Sequence, residues 1–270
     1  MKIFKSIYKL QKEIFNQKKV SFVPTMGGFH KGHISLVKKS RNYQNKILVS
    51  IFVNPKQFNN KKDFRKYPKD HKKDLSILKN LNVDYAYLPK TNNIYDSKRT
   101  KQIQIKKKDK ILCAKYRKGH FEGVIDVMDR LTNKIRPKII FLGEKDFQQL
   151  YLVKKYIQKK YRSKIYSCKT IRDGNKLALS SRNLLLNKKR LIQAGKLAQN
   201  INRFKKNLNK NKITKNFLDI KKRQISKIFN IDIEYFELRN LFTFKSSNTI
   251  KNSKLFISYY MDKVRLIDNF

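Results

Sequence analysis

Two of the four histidines in this 270-residue chain, His30 and His33, fall in one short run, Pro24–His33 (PTMGGFHKGH). An apolar stretch, Val20–Val23, leads into Pro24. Gly27 and Gly28 permit a tight reversal, and a helix is expected from Gly32 or His33. A helix N-terminus beyond the carboxyl end of a strand offers unpaired N–H groups and a positive dipole end, which suits phosphate. Two histidines three positions apart at such a place can face one anionic group together. They can also ligate a metal, although no third ligand is paired with them by spacing, or stand exposed in a plain turn. The anion-binding reading is preferred because imidazoles are scarce and concentrated here.

The elements that must carry this turn alternate. Val20–Val23, Ile47–Val53, Tyr85–Leu88, Ile139–Leu142 and Ile165–Thr170 read as buried strands. Helical spacing runs from the turn itself through Ile34, Leu36 and Val37, and over Asp70–Asn80, Val124–Arg136 and Gln148–Lys160. Strands alternating with helices argue for parallel βα units, hence an α/β fold with a doubly wound parallel sheet. The character changes beyond a boundary near Thr170–Asn175. Leu191, Ala194, Leu197, Ala198, Ile201 and Phe204 recur at helical spacing, Phe217–Phe229 repeats the pattern, and Ile231–Phe236 and Leu255–Tyr260 read as strands. Two domains are expected, 1–171 and a smaller α+β domain, 172–270. The Lys-rich stretch Lys205–Lys215 reads as a solvated helix end and loop.

Charge is the most conspicuous bulk property: 66 Lys plus Arg against 19 Asp plus Glu, a formal +47. Such a balance invites a nucleic-acid reading. The basic residues are mostly Lys, however, and spread along the whole chain rather than gathered in a stripe. Arg is the better reader of bases and phosphates. A hydrophobic fraction of 40% with 18 Phe and 14 Tyr also excludes a disordered polycation. Dedicated nucleic-acid binding is therefore not expected. Cys113 and Cys168 are too few for a disulfide framework and have no metal-ligand spacing, so buried free thiols in a reducing cytoplasm are expected. No apolar stretch is long enough to span a bilayer, so no membrane partner is expected. The basic, amphipathic N-terminus resembles a transit peptide but lacks a small-residue cleavage site, and it is read as the first element of the fold.

Several blocks extend the His30–His33 turn into a family pattern. His30-Lys31-Gly32-His33 resembles the HxGH signature of a nucleotidyltransferase superfamily, and the wider run resembles PTMGxLHxGHxxL. Ser50–Phe58 (SIFVNPKQF), Asp63–Pro68 (DFRKYP), Arg117–Val124 (RKGHFEGV), Gly143–Leu150 (GEKDFQQL), Leu177–Asn183 (LALSSRN) and Arg265–Asn269 (RLIDN) follow in order. Together they resemble the pantothenate synthetase, or pantoate–β-alanine ligase, family across nearly the whole chain. Lys118 and Glu122 depart from it, standing where Pro and Arg are common.

The resemblance implies a Rossmann-like nucleotidyltransferase whose N-terminal domain binds ATP and pantoate and whose C-terminal domain is a lid. It implies ATP as substrate with Mg²⁺, pantoate and β-alanine as the other substrates, and a homodimer built through N-terminal domains. The catalytic set it implies is His33, His30 and Lys145. ATP is expected at Met26, Gly27, Gly28, Phe29, His30, Lys31, Gly32, His33, Gly143, Glu144, Lys145, Asp146, Ile171, Leu179, Ser180, Ser181 and Arg182. Pantoate is expected at Gln57 and Gln149, and β-alanine at Gln57. Asn54, Tyr67 and Arg117 match further pocket positions, and no metal ligand is assigned. Without the pattern each residue has a plainer reading: Lys145 and Arg182 as ordinary charges, the glutamines as surface residues, Ser180–Ser181 as a helix cap, His120 as a core histidine bound to a backbone carbonyl.

Overall fold

Six strands of the computed structural model form one parallel sheet: β1 (Lys2–Phe4), β2 (Val20–Thr25), β3 (Lys46–Ile51), β4 (Tyr85–Tyr87), β5 (Ile139–Gly143) and β6 (Lys164–Cys168), in the order β1-β4-β3-β2-β5-β6. The structure describes residues 1–15, 19–95, 103–208 and 213–270. The register aligns Val23 with Val49 and Val49 with Ala86. These join Phe141 and Cys168 in a core that also takes Leu36 and Val37 from the helix Lys31–Ser40 and Leu78 from the helix His71–Asn80. The alternate residues Phe22, Leu48, Tyr87 and Ile140 are equally buried. Both faces of the sheet are therefore covered, which is why its strands read as continuous apolar runs instead of alternating ones. This is the doubly wound α/β architecture expected, with β1 as an added edge strand. The lone acid before Asp63, Glu13, pairs with Lys2 of that strand at 2.8 Å.

The chain divides after Lys169, two residues before the expected boundary, into the units Met1–Lys169 and Thr170–Phe270. The second unit holds the antiparallel sheet β7 (Asp232–Asn240), β8 (Ser253–Met261) and β9 (Val264–Asn269). Leu197 and Ile201 of the helix Lys188–Lys206, and Leu218 and Ile225 of the helix Lys215–Phe229, share its core with Phe236, Leu255 and Ile257. Residues 209–212 of the expected Lys-rich loop lie outside the described residues.

Two element boundaries differ from expectation for local reasons. The helix expected from Val124 starts at His120, because Gly119 takes a left-handed conformation (φ +77°) and releases the chain into the helix four residues earlier. The helix expected over Gln148–Lys160 is interrupted by a π turn, Lys154–Gln158, within which the adjacent Lys155 and Tyr156 both engage the buried carboxylate of Asp109.

The first turn of the His120–Ile135 helix presses on the turn that follows β3. A Cβ on Gly123 would stand 2.2 Å from the carbonyl oxygen of Lys56 and 3.0 Å from the backbone N of Gln57. No side chain fits there. We predict that Gly123→Ala costs about 1–3 kcal/mol as an overpacked contact, seen as a lower midpoint in chemical denaturation. An unchanged midpoint would show that the two backbones separate freely.

Candidate active site

In an open parallel sheet, ligands bind beyond the carboxyl ends of the strands where the strand order reverses. Here that point lies between β2 and β5: from β2 the chain continues to β3 on one side, and from β5 to β6 on the other. Residues Met26–His33 follow β2, and Gly143–Gln149 close β5 and open the helix Phe147–Val153. The candidates Met26–His33, Gly143–Asp146 and Gln149 therefore flank the switch point.

The turn after β2 is shaped from below by a residue that sequence reasoning missed. Asp74, on the helix His71–Asn80 and 2% exposed, accepts the amide of Gly28 through Oδ2 at 3.0 Å and that of Phe29 through Oδ1 at 2.9 Å. Gly27, at φ +82°, passes so close that a Cβ would lie 2.7 Å from Asp74 Oδ2. Positive φ and this contact both demand glycine. The Gly27 amide in turn donates to Thr25 Oγ1, whose hydroxyl is anchored on the Ser50 carbonyl. The one available signal for Asp74 was an acid sharing the inward helix face with Leu78, four residues on.

Held in this way, the turn delivers His30 as the cap of the helix Lys31–Ser40. Its Nδ1 accepts the Gly32 amide at 3.0 Å. A neutral His30 accepting at Nδ1 must carry its hydrogen on Nε2, so it offers a donor to an anion. The His33 ring lies 4.1 Å from that of His30, and its Nδ1 is buried with no hydrogen-bond partner among the described residues. Burial, and then the positive charge of Lys145, hold His30 down at about 4. Burial, then His30 and Lys145, hold His33 at about 3. Both rings are neutral at pH 7. Lys145 lies on the single 3₁₀ turn Glu144–Asp146, its Nζ 3.6 Å from Asp146 Oδ1. Two neutral imidazoles and one ammonium make a place where added negative charge is favoured.

Gln57 lies on the same side, its Nε2 2.6 Å from the sulfur of Met26. Of the two adjacent glutamines after β5, Gln148 is buried and donates to the carbonyls of Ile111 (2.6 Å) and Asp109 (3.4 Å), whereas Gln149 is half-buried. His120 meets a backbone carbonyl, as its plainer reading had it: Nδ1 sits 2.6 Å from the Gln57 oxygen and Nε2 2.9 Å from Arg117. Tyr67 packs edge-on against Phe58, with centroids 5.7 Å apart. Glu122, a departure from the family pattern, is buried and pairs with Lys110 at 3.2 Å.

The remaining candidates belong to the second unit. Leu179 donates its amide to the Ile171 carbonyl at 3.0 Å, closing a hairpin-like segment that Arg172 ties to Asp268 by two bonds of 2.7 and 2.8 Å. Ser180 caps the 3₁₀ helix Ser181–Leu185 by accepting from the Arg182 amide, and Arg182 Nη1 donates to the Arg265 carbonyl at 3.2 Å. The capping reading of Ser180 thus holds locally.

The sequence model of the family described as pantoate-beta-alanine ligase matches residues 2–270. The chain belongs to that family. A pantothenate synthetase of Campylobacter hominis is 37% identical over 254 residues, covering 93% of this chain and 92% of its own. One from Clostridium botulinum is 39% identical over 256 residues, with 93% and 90% covered. Among solved structures, the pantoate–β-alanine ligase of Francisella tularensis, complexed with beta-gamma ATP and β-alanine, aligns with a TM-score of 0.84 at 33% identity, covering 100% of this chain and 97% of that one. A pantothenate synthetase of Thermus thermophilus aligns at 0.92 and 26%, with 100% and 99% covered. No helix among the described residues is long and apolar enough to cross a membrane.

Asp74→Asn leaves one of the two turn amides facing an NH₂ group, so stability should fall by about 1–3 kcal/mol and catalytic efficiency with it; full retention of both contradicts the role. A lowered histidine pKa means that the unfolded chain binds more protons than the folded one between the ordinary histidine pKa and the folded value. The contribution of both rings to stability is therefore intact above about pH 6.5 and declines as pH falls toward 4 and 3. By NMR, the Cε1–H signals of His30 and His33 should hold their neutral positions down to about pH 5; a midpoint near 6.5 for either would contradict this environment.

Proposed function

We propose that the chain condenses pantoate with β-alanine at the expense of ATP, through a pantoyl adenylate, to give pantothenate, AMP and pyrophosphate. The observation that carries this reading is the pair of neutral imidazoles beside Lys145 at the switch point. In the first step a carboxylate oxygen of pantoate attacks the α-phosphorus, and pyrophosphate leaves from the opposite side. Negative charge grows on the bridging oxygen and the leaving group, and preorganised donors that meet it there lower the barrier. His30, with its hydrogen on Nε2, and Lys145 suit this role. His33 acts as a hydrogen-bond donor from its neutral form, since a resident imidazolium is disfavoured there. In the second step the free amine of β-alanine attacks the acyl carbon, AMP departs with the carboxylate oxygen, and the amine proton passes to solvent.

Family pattern supports the finer assignments. Gln57 and Gln149 orient pantoate as neutral amides, which leaves the nucleophilic carboxylate unquenched by an ion pair, and Gln57 also meets β-alanine. Met26–His33, Gly143–Asp146, Ile171, Leu179 and Ser180–Arg182 are assigned to ATP, the serines and Arg182 as hydroxyl and guanidinium donors to its phosphates. Mg²⁺ is assigned to arrive with ATP, since it keeps several waters and binds largely through substrate phosphates. A homodimer and a cytoplasmic location complete the reading, the latter supported by two buried free thiols.

Mixing the protein with ATP, Mg²⁺, pantoate and β-alanine should release AMP only when pantoate is present. AMP formed without pantoate, or never formed, overturns the assignment. His33→Ala should slow adenylation by about 10²-fold or more, the scale of a lost transition-state donor, with circular dichroism unchanged.

A further inference from the structure

The turn Asn54–Gln57 is held by an unusual number of directed contacts, and their polarity has a consequence for Gln57. Asn54 is 1% exposed. Its Oδ1 accepts the Lys56 amide at 3.1 Å, and its Nδ2 donates to the Gly123 carbonyl at 3.1 Å. A backbone amide can only donate and a carbonyl can only accept, so these two bonds fix which end of the Asn54 amide is oxygen. The same Nδ2 lies 3.3 Å from the side-chain oxygen of Gln57. That contact requires an acceptor, so Gln57 must turn its Oε1 toward Asn54 and its NH₂ group away, toward Met26. The backbone of Gln57 is pinned as well, its carbonyl receiving Arg117 Nη2 at 3.3 Å and His120 at 2.6 Å.

One further side chain enters this chain of bonds. Tyr95 donates its hydroxyl to Asn54 Oδ1 at 2.9 Å. Its ring is gripped by two cations, Lys56 Nζ at 4.0 Å and Arg130 at 4.9 Å from the centroid, and Arg130 is held by buried Asp126 at 3.1 Å. Burial, with the Asp126 charge beyond it, raises the phenol above its ordinary value, so it stays a donor throughout the neutral range.

We propose that Tyr95 is a positioning residue for pantoate: its hydroxyl, acting through Asn54, keeps the Gln57 NH₂ group presented to the acceptor oxygens of that substrate. The hydrogen bonds run in one direction, from Tyr95 O–H to Asn54 Oδ1, from Asn54 N–H to Gln57 Oε1, and from Gln57 N–H to the ligand. Polarisation along such a chain strengthens the last donor. It also makes the site selective for a group that accepts at this point over one that donates. The inference rests on the reading of Gln57 as a pantoate contact.

Tyr95→Phe isolates the hydroxyl, because the ring and its two cation contacts survive. Steady-state kinetics of the full chain should show kcat/KM for pantoate reduced about 3- to 10-fold, the range of one neutral hydrogen bond, with KM for ATP unchanged. Thermal unfolding of the variant should shift by no more than one neutral hydrogen bond is worth, a few degrees at most. Equal losses for ATP and pantoate would mean that Tyr95 serves stability alone and would overturn the proposal, as would unchanged pantoate kinetics. Gln57→Glu, measured alongside, tests the underlying reading. It replaces the outward NH₂ by a carboxylate oxygen, so pantoate kinetics should suffer more than in Tyr95→Phe. If Gln57→Glu leaves pantoate unaffected, the pantoate role of Gln57 is wrong. If Gln57→Glu impairs pantoate use and Tyr95→Phe does not, only the relay through Asn54 is wrong.

Discussion

Everything chemically useful after β2 depends on one buried carboxylate. Asp74 takes the amides of Gly28 and Phe29 and passes within contact of Gly27. Burying a charge is costly unless its lone pairs are satisfied, and here two backbone donors do so from a turn that would otherwise leave both amides unpaired. The exchange settles the path of the chain. With the amides of Gly28 and Phe29 committed downward, His30 arrives at the helix start with its Nδ1 on the Gly32 amide and its hydrogen on Nε2. The tautomer is thus a consequence of backbone geometry, and the neutral state a consequence of burial beside Lys145.

The turn after β3 obeys the same logic with different parts. There the support is steric on one side, where Gly123 lets two backbones touch, and polar on the other, where Asn54 reads the direction of two backbone groups. In both turns a buried polar side chain, from a remote helix in one and from the turn itself in the other, fixes a loop at a strand end. This is how a rigid sheet holds the loops at its strand ends in a defined geometry.

Much of this was legible in the sequence, and the remainder was hidden for identifiable reasons. Strand and helix alternation follows from local apolar runs, and His30, His33, Lys145 and Gln57 stand in blocks whose order alone is diagnostic. Asp74 and Tyr95 were not visible because their partners lie 46 and 41 residues away, and an acid in a Lys-rich helix looks like any solvated charge. Periodicity could not separate Gln148 from Gln149 either; packing against the Asp109–Ile111 backbone does. The strands β1 and β9 escaped notice because one is three residues long and the other mixes charge with apolar positions. The excess of basic residues, the loudest signal in the composition, bears on few of these contacts, since most of it lies outside the crevice and raises the field around it without shaping the site.

Attack of a carboxylate on the α-phosphorus of ATP is the step on which every assigned role in this crevice depends, and isotope labelling tests it directly. With both carboxylate oxygens of pantoate replaced by ¹⁸O, one turnover should place a single ¹⁸O in the phosphate of AMP and leave the other in the new amide carbonyl, with none in pyrophosphate. Label in inorganic phosphate released with ADP, or unlabelled AMP accompanying product, would contradict an acyl adenylate and with it the roles given to His30, His33 and Lys145.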